Sequence, residues 1–135
     1  HYINAFGEKL IIEHAEQAIK EACLTHNVQV REYTVAPDFS QTTQVGRHHW
    51  LIEFEQAPND LEAFTSSLDA ALKKANADYD AKRKGNINIG SPLITIASHG
   101  TFHRWLKQKG KLGGQHKVPR LQNRDALLQE ILSCQ

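Results

Sequence analysis

The chain has no methionine and only two cysteines in 135 residues. Cys23 falls in an amphipathic helical pattern and Cys134 is next to the end, so no disulfide scaffold is available, and a reducing cytoplasm is the expected setting. No apolar run approaches the roughly 18 residues of a membrane span. No signal peptide opens the sequence, and the missing methionine, with His1 first, reads as a piece of a longer chain. Acidic residues are absent between Asp80 and Asp125. Aromatics are scarce there too: Phe102 and Trp105 stand alone, at helical spacing, which suits a core better than a base-stacking platform. Nucleic acid is therefore the weaker choice of partner.

Sequence signatures of catalysis are missing as well. There is no HExxH, no paired cysteine, no GxSxG and no Walker lysine loop. Eight histidines invite a metal, but His48 and His49 are adjacent and would point to opposite faces of a strand, and Gly100 separates His99 from His103. No metal site is expected.

What is present is a sharp division of charge. The net charge of +1 conceals −7 over residues 1–80 and +8 over residues 81–135. A one-signed stretch of that length concentrates anions and favours phosphate or nucleotide. Within it lies Gly110-Lys111-Leu112-Gly113-Gly114-Gln115-His116-Lys117-Val118-Pro119-Arg120. Its three glycines make the backbone permissive. Pro119 then fixes its own φ and pushes Val118 toward an extended conformation, so Lys117 leaves the loop in a defined direction. Such a loop serves either as an anion contact or as an ordinary solvated basic turn. A second basic cluster, Lys82-Arg83-Lys84, stands at a helix end, where the macrodipole favours positive charge and where an arginine fork could also meet phosphate or a partner carboxylate.

The remaining pattern predicts one small α+β domain over residues 1–135. A short strand over residues 2–6 precedes a helix over 9–25, closed by Asn27. Residues 28–35 and 47–55 read as a hairpin, the first strand bulged near Arg31-Glu32. On the second strand Trp50, Ile52 and Phe54 point one way, while His49, Leu51, Glu53 and Glu55 point to the other, solvated, side. Asn59 is placed to cap a helix that runs through Tyr79 toward Lys84, with Gly85 as its stop. A strand over 92–97 follows, then a helix capped by Thr101 and a last helix capped by Asn123. The order suits a mostly antiparallel sheet with helices on one face, in a split βαβ arrangement.

Several segments carry a family likeness: Ile3-Asn4-Ala5-Phe6-Gly7-Glu8-Lys9, His49-Trp50-Leu51-Ile52-Glu53-Phe54, Asp78-Tyr79-Asp80-Ala81-Lys82-Arg83, Gly100-Thr101-Phe102 and Gly113-Gly114-Gln115-His116-Lys117-Val118-Pro119-Arg120. Together, in this order, they resemble the C-terminal domain of the Gretchen Hagen (auxin-responsive promoter) family of acyl-acid-amido synthetases, in particular its bacterial members. The resemblance implies a mobile cap on an N-terminal adenylating domain of the same chain, with residues 1–9 as the hinge segment. It implies ATP, with Mg2+ in the full enzyme and not on this domain. An acyl acid is adenylated and an amino acid then attacks to give an amide. The resemblance places two phosphate-binding lysines at Lys9 and Lys117, with Lys117 the catalytic one, and Arg120 and Arg83 stand as supporting candidates. It also implies that the domain is inactive alone. The alternative expectation is a stand-alone α+β module that docks a protein or nucleic acid through its basic face.

Overall fold

In the computed structural model, residues 2–40, 45–86, 88–110 and 117–135 are described. The organising element is the strand over residues 47–54, where seven consecutive residues from His48 to Phe54 are buried. Numbered in chain order, the strands are β1 (Tyr2–Ile3), β2 (Leu10–Ile11), β3 (Val30–Asp38), β4 (Arg47–Phe54) and β5 (Leu93–Ile96). The helices are α1 (Ile12–His26), α2 (Leu61–Ala75), α3 (Ala77–Arg83), α4 (Thr101–Gln108) and α5 (Ala126–Leu132). β4 is central, antiparallel to β3 and parallel to β5. A parallel neighbour needs a long crossover, and α2 and α3 provide it. The expected bulge appears as a register shift between Val30 and Glu32.

The α+β class is as expected, and the sheet is mixed. The covering of the sheet differs from the expectation of helices on one face. Trp50, Ile52 and Phe54 meet α1 and α2 in the larger core, with Ala15, Ala18, Ile19, Phe64, Leu68 and Leu72. On the reverse side Leu51, Ala36 and Ala97 pack with Phe102 and Trp105 of α4 and with Leu128 and Ile131 of α5. Of the polar residues that suggest a solvated reverse face, His49 and Glu53 are buried and partnered, whereas Glu55 is exposed and paired with Arg31. His49 Nε2 lies 2.8 Å from Thr95 Oγ1 across the β4–β5 ladder, and its burial lowers its pKa. Glu53, 1% exposed, accepts the N–H of Gly100 at 3.0 Å and of Phe102 at 3.3 Å. It thereby caps α4 from a neighbouring strand, so the expected Thr101 cap is displaced into the first helical turn and Gly100, at φ +87°, takes the cap position.

Three other boundaries shift for local reasons. Leu10 and Ile11 form a strand with β1, pairing Tyr2 with Ile11 and Ile3 with Leu10, and α1 starts only at Ile12. The buried pair Ile3 and Leu10, both 0% exposed, explains the preference. The helix predicted to run from residue 59 past Tyr79 is broken at Asn76, whose side chain accepts the Tyr79 N–H at 2.8 Å and begins α3. Its N-terminus is capped by Asp60, which accepts the Ala63 N–H at 3.0 Å, in place of Asn59. Replacing Asp60 by alanine should cost about 1 kcal/mol, read as a lower urea midpoint with an unchanged slope.

Candidate functional site

The chain after the basic loop lies along the free edge of β3. The Val35 N–H donates to Arg120 O at 2.8 Å and the Gln122 N–H to Val35 O at 3.0 Å, so Leu121 forms a parallel bridge with Val35. Thr34 Oγ1 donates to Pro119 O at 2.7 Å, and Gln122 Nε2 donates back to Thr34 Oγ1 at 2.8 Å. Val118 is buried in the second core. The backbone is therefore fixed immediately after Lys117, whose side chain is exposed. Residues 111–116, which hold the glycines Gly113 and Gly114 of the predicted loop, lie outside the described residues. Beside Lys117 is a cleft of about 470 Å³ lined by Glu32, Leu106, Lys117, Val118 and Arg120.

The same ribbon holds the N-terminal segment. Asn123, expected to cap α5, instead accepts the Asn4 N–H at 3.0 Å and donates to Tyr2 O at 3.1 Å. α5 starts after Asp125 without a side-chain cap. Lys9 is exposed on this segment. Its Nζ stands 5.9 Å from the centre of the Tyr2 ring, and its carbonyl accepts from Asn76 Nδ2 at 2.7 Å. Residues 119–123 thus tie both lysine-bearing segments to one framework.

The two arginines have other occupations. The Arg120 guanidinium lies 4.6 Å from the centre of the Tyr33 ring, pairs with Glu32, and stands 3.4 Å from Glu16. Glu16 also accepts the Tyr33 hydroxyl at 2.6 Å. Burial, with Glu16 beside it, raises the Tyr33 pKa. Arg120 therefore borders the Lys117 cleft as part of a paired cluster. Arg83 is 9% exposed and bound to Asp69 by two hydrogen bonds, of 2.9 and 2.6 Å, with a third to Ile89 O at 3.3 Å. Tyr79 donates to the same Asp69 at 2.7 Å. Of the two expected partners of this arginine, phosphate or a carboxylate, the structure shows a carboxylate, and Arg83 is a buried brace between α2, α3 and the following turn. Sequence reasoning read its charge but not Asp69, fourteen residues earlier on the face of α2 that meets α3.

Among the described residues, no three His, Cys, Asp or Glu side chains converge as metal ligands, and no helix is long and apolar enough to cross a membrane.

A family model described as the GH3 family C-terminal domain matches residues 13–126. A solved structure of a GH3.15 acyl acid amido synthetase superposes with a TM-score of 0.79 at 21% identity, covering 98% of this chain and 25% of that one. A structure of AtGH3.15 acyl acid amido synthetase in complex with 2,4-DB gives a TM-score of 0.75 at 17% identity, over 98% of this chain and 25% of that one. At these identities the likeness is one of fold, and this chain spans about a quarter of the length of those structures. No curated protein matches it in sequence.

Proposed function

The chain belongs to the GH3 family through its C-terminal domain, and on that premise we propose that it is the mobile cap of an ATP-dependent acyl acid amido synthetase. The observation that carries this reading is Lys117, an exposed lysine on a backbone pinned at Val118 and Pro119 beside an open cleft. An ammonium group so placed suits a phosphate chain donor for acceptor, and it retains freedom to follow a phosphate as charge moves. Lys117 would contact the α- and β-phosphates of ATP and offset the charge that builds as the acyl acid is adenylated. Lys9 would reach the same phosphates from the hinge segment. Arg120 would support Lys117 through the Glu32–Glu16–Tyr33 cluster that shapes the cleft wall, and Arg83 would support Lys9 by bracing α3. No residue here is assigned to Mg2+. The acyl acid and the amino acid would be held mainly by the N-terminal domain of the full protein, and the cap alone would be inactive.

The alternative, a docking module with a basic face, loses some force because part of that charge is already engaged within the domain. Besides Arg83 and Arg120, Lys109 pairs with Glu130 at 2.5 Å, and Arg104 donates to Cys134 O at 2.8 Å and His99 O at 3.1 Å. The test is acid-dependent exchange of pyrophosphate into ATP by the full-length protein, over a panel of carboxylic acids. Exchange with at least one acid, and amide formation when an amino acid is added, is the expected result. Absence of exchange across the panel, with ATP binding intact, would overturn the adenylating function.

A further inference from the structure

Next to Lys9 stands a second ionisable residue that the proposed chemistry leaves idle. Glu8 is 1% exposed and His48, on β4, is 0% exposed. Glu8 Oε2 lies 2.5 Å from His48 Nε2, and Glu8 Oε1 accepts the Phe6 N–H at 2.9 Å. Nδ1 of His48 has no hydrogen-bond partner among the described residues. An orphan lone pair costs less than an orphan N–H would, so the proton is best placed on Nε2, donating to Glu8.

Two aromatic rings pack against the imidazole, Tyr79 stacked at 5.5 Å and Phe6 tilted at 5.8 Å between centroids. Between Phe6 and Glu8 the chain turns at Gly7, φ +87°, whose N–H donates to Asn4 O at 3.1 Å. One residue later Asn76 holds the Lys9 carbonyl. Lys9 is thus an exposed residue just after the turn, and its neighbours on either side, Glu8 and Leu10, are buried. Burying a carboxylate is costly unless it is paired, and apolar side chains would fill the same space more cheaply. What such a pair adds is direction: one donor, one acceptor, one position of the turn.

We infer that the Glu8–His48 pair is a positioning device for Lys9, setting where its ammonium meets the nucleotide phosphates. The inference rests on the proposed phosphate contact of Lys9. Displacement of a charged group by about an ångström is enough to lose a large part of its effect on a reaction.

A double-mutant cycle in the full-length protein tests it. Lys9→Ala should lower kcat for acid-dependent pyrophosphate exchange. Glu8→Ala should lower kcat by roughly tenfold with a smaller change in KM for ATP, and Glu8→Gln, which keeps the Phe6 contact, should recover part of it. In the Lys9→Ala background both Glu8 substitutions should be nearly silent. A loss that is equally large with and without Lys9 would overturn the inference while leaving the role of Lys9 intact. A Lys9→Ala protein with normal exchange would overturn the proposed contact itself, and the inference with it. Should Glu8→Ala fail to fold, as judged by its thermal transition, the isosteric Glu8→Gln carries the cycle alone.

Discussion

Replacing Lys117 by alanine in the full-length protein is expected to lower acid-dependent pyrophosphate exchange by about 10²- to 10³-fold, the usual loss when one preorganised group that stabilises developing charge is removed. The melting temperature should be unchanged. Lys117 is exposed, the described residues give its ammonium no partner, and the backbone just after it is held by the hydrogen bond that Thr34 donates to Pro119 O. Lys117→Arg should fall between the two, since it keeps the charge but exchanges a compact point for a planar fork. The split between kcat and KM is informative. A loss mainly in kcat identifies a contact made as charge develops, whereas a loss confined to KM would reduce Lys117 to ground-state binding. Exchange near the normal rate in Lys117→Ala would remove it from the chemistry.

The second large effect concerns stability. Arg83→Ala should destabilise the domain by about 3 kcal/mol or more, because it leaves the Asp69 carboxylate buried without its main partner. Burial works to raise the Asp69 pKa, but hydrogen bonds from Arg83 and Tyr79 outweigh it and leave it below the ordinary aspartate value. The sign follows directly. A carboxyl whose pKa is lower in the folded than in the unfolded chain contributes fully above the unfolded value, about 4, and loses that contribution as pH falls through the lowered folded value. Wild type and Asp69→Asn should therefore differ most near neutrality, and their urea midpoints should converge below about pH 4. A gap that stays constant down to pH 2 would mean that the pair contributes through shape alone.

These two residues also mark what was legible in the sequence. That the chain is constrained after Lys117 was readable because proline geometry is local, and the structure shows the backbone held at Val118 and Pro119. The docking of that segment on β3 was not readable, since a single parallel bridge at Leu121 leaves no periodicity. For Arg83 the local rule pointed to a helix C-terminus, where it does stand as the last residue of α3, but nothing local announced that Asp69 takes its guanidinium. β4 announced itself by alternation, but His49 and Glu53 were assigned to solvent because polar residues usually face it. Glu53 is inside because α4 begins at Gly100 and Thr101, where no local side chain caps the first turn, and a carboxylate from the strand answers those N–H groups. Asn76 and Asp60 are capping residues of an ordinary kind, but Asn76 lies inside a continuous helical pattern and Asp60 stands next to a plausible competitor, Asn59. Glu8 and His48 gave no signal of their pairing, being forty positions apart.

The bridge from Asn123 to Asn4 and Tyr2 joins residues 119 and 121 positions apart. Closing so long a loop draws on entropy that only the finished core can offset. On a ribosome, Tyr2 would emerge on the order of ten seconds before Asn123 does. During that interval α1, α2, β3 and β4 can already assemble, while the ribbon that ties the Lys9 segment to the Lys117 segment does not yet exist. Order in time thus separates two parts of the chain: its core can form early from near neighbours, and the segments that carry Lys9 and Lys117 acquire a common frame only when the last quarter of the domain arrives.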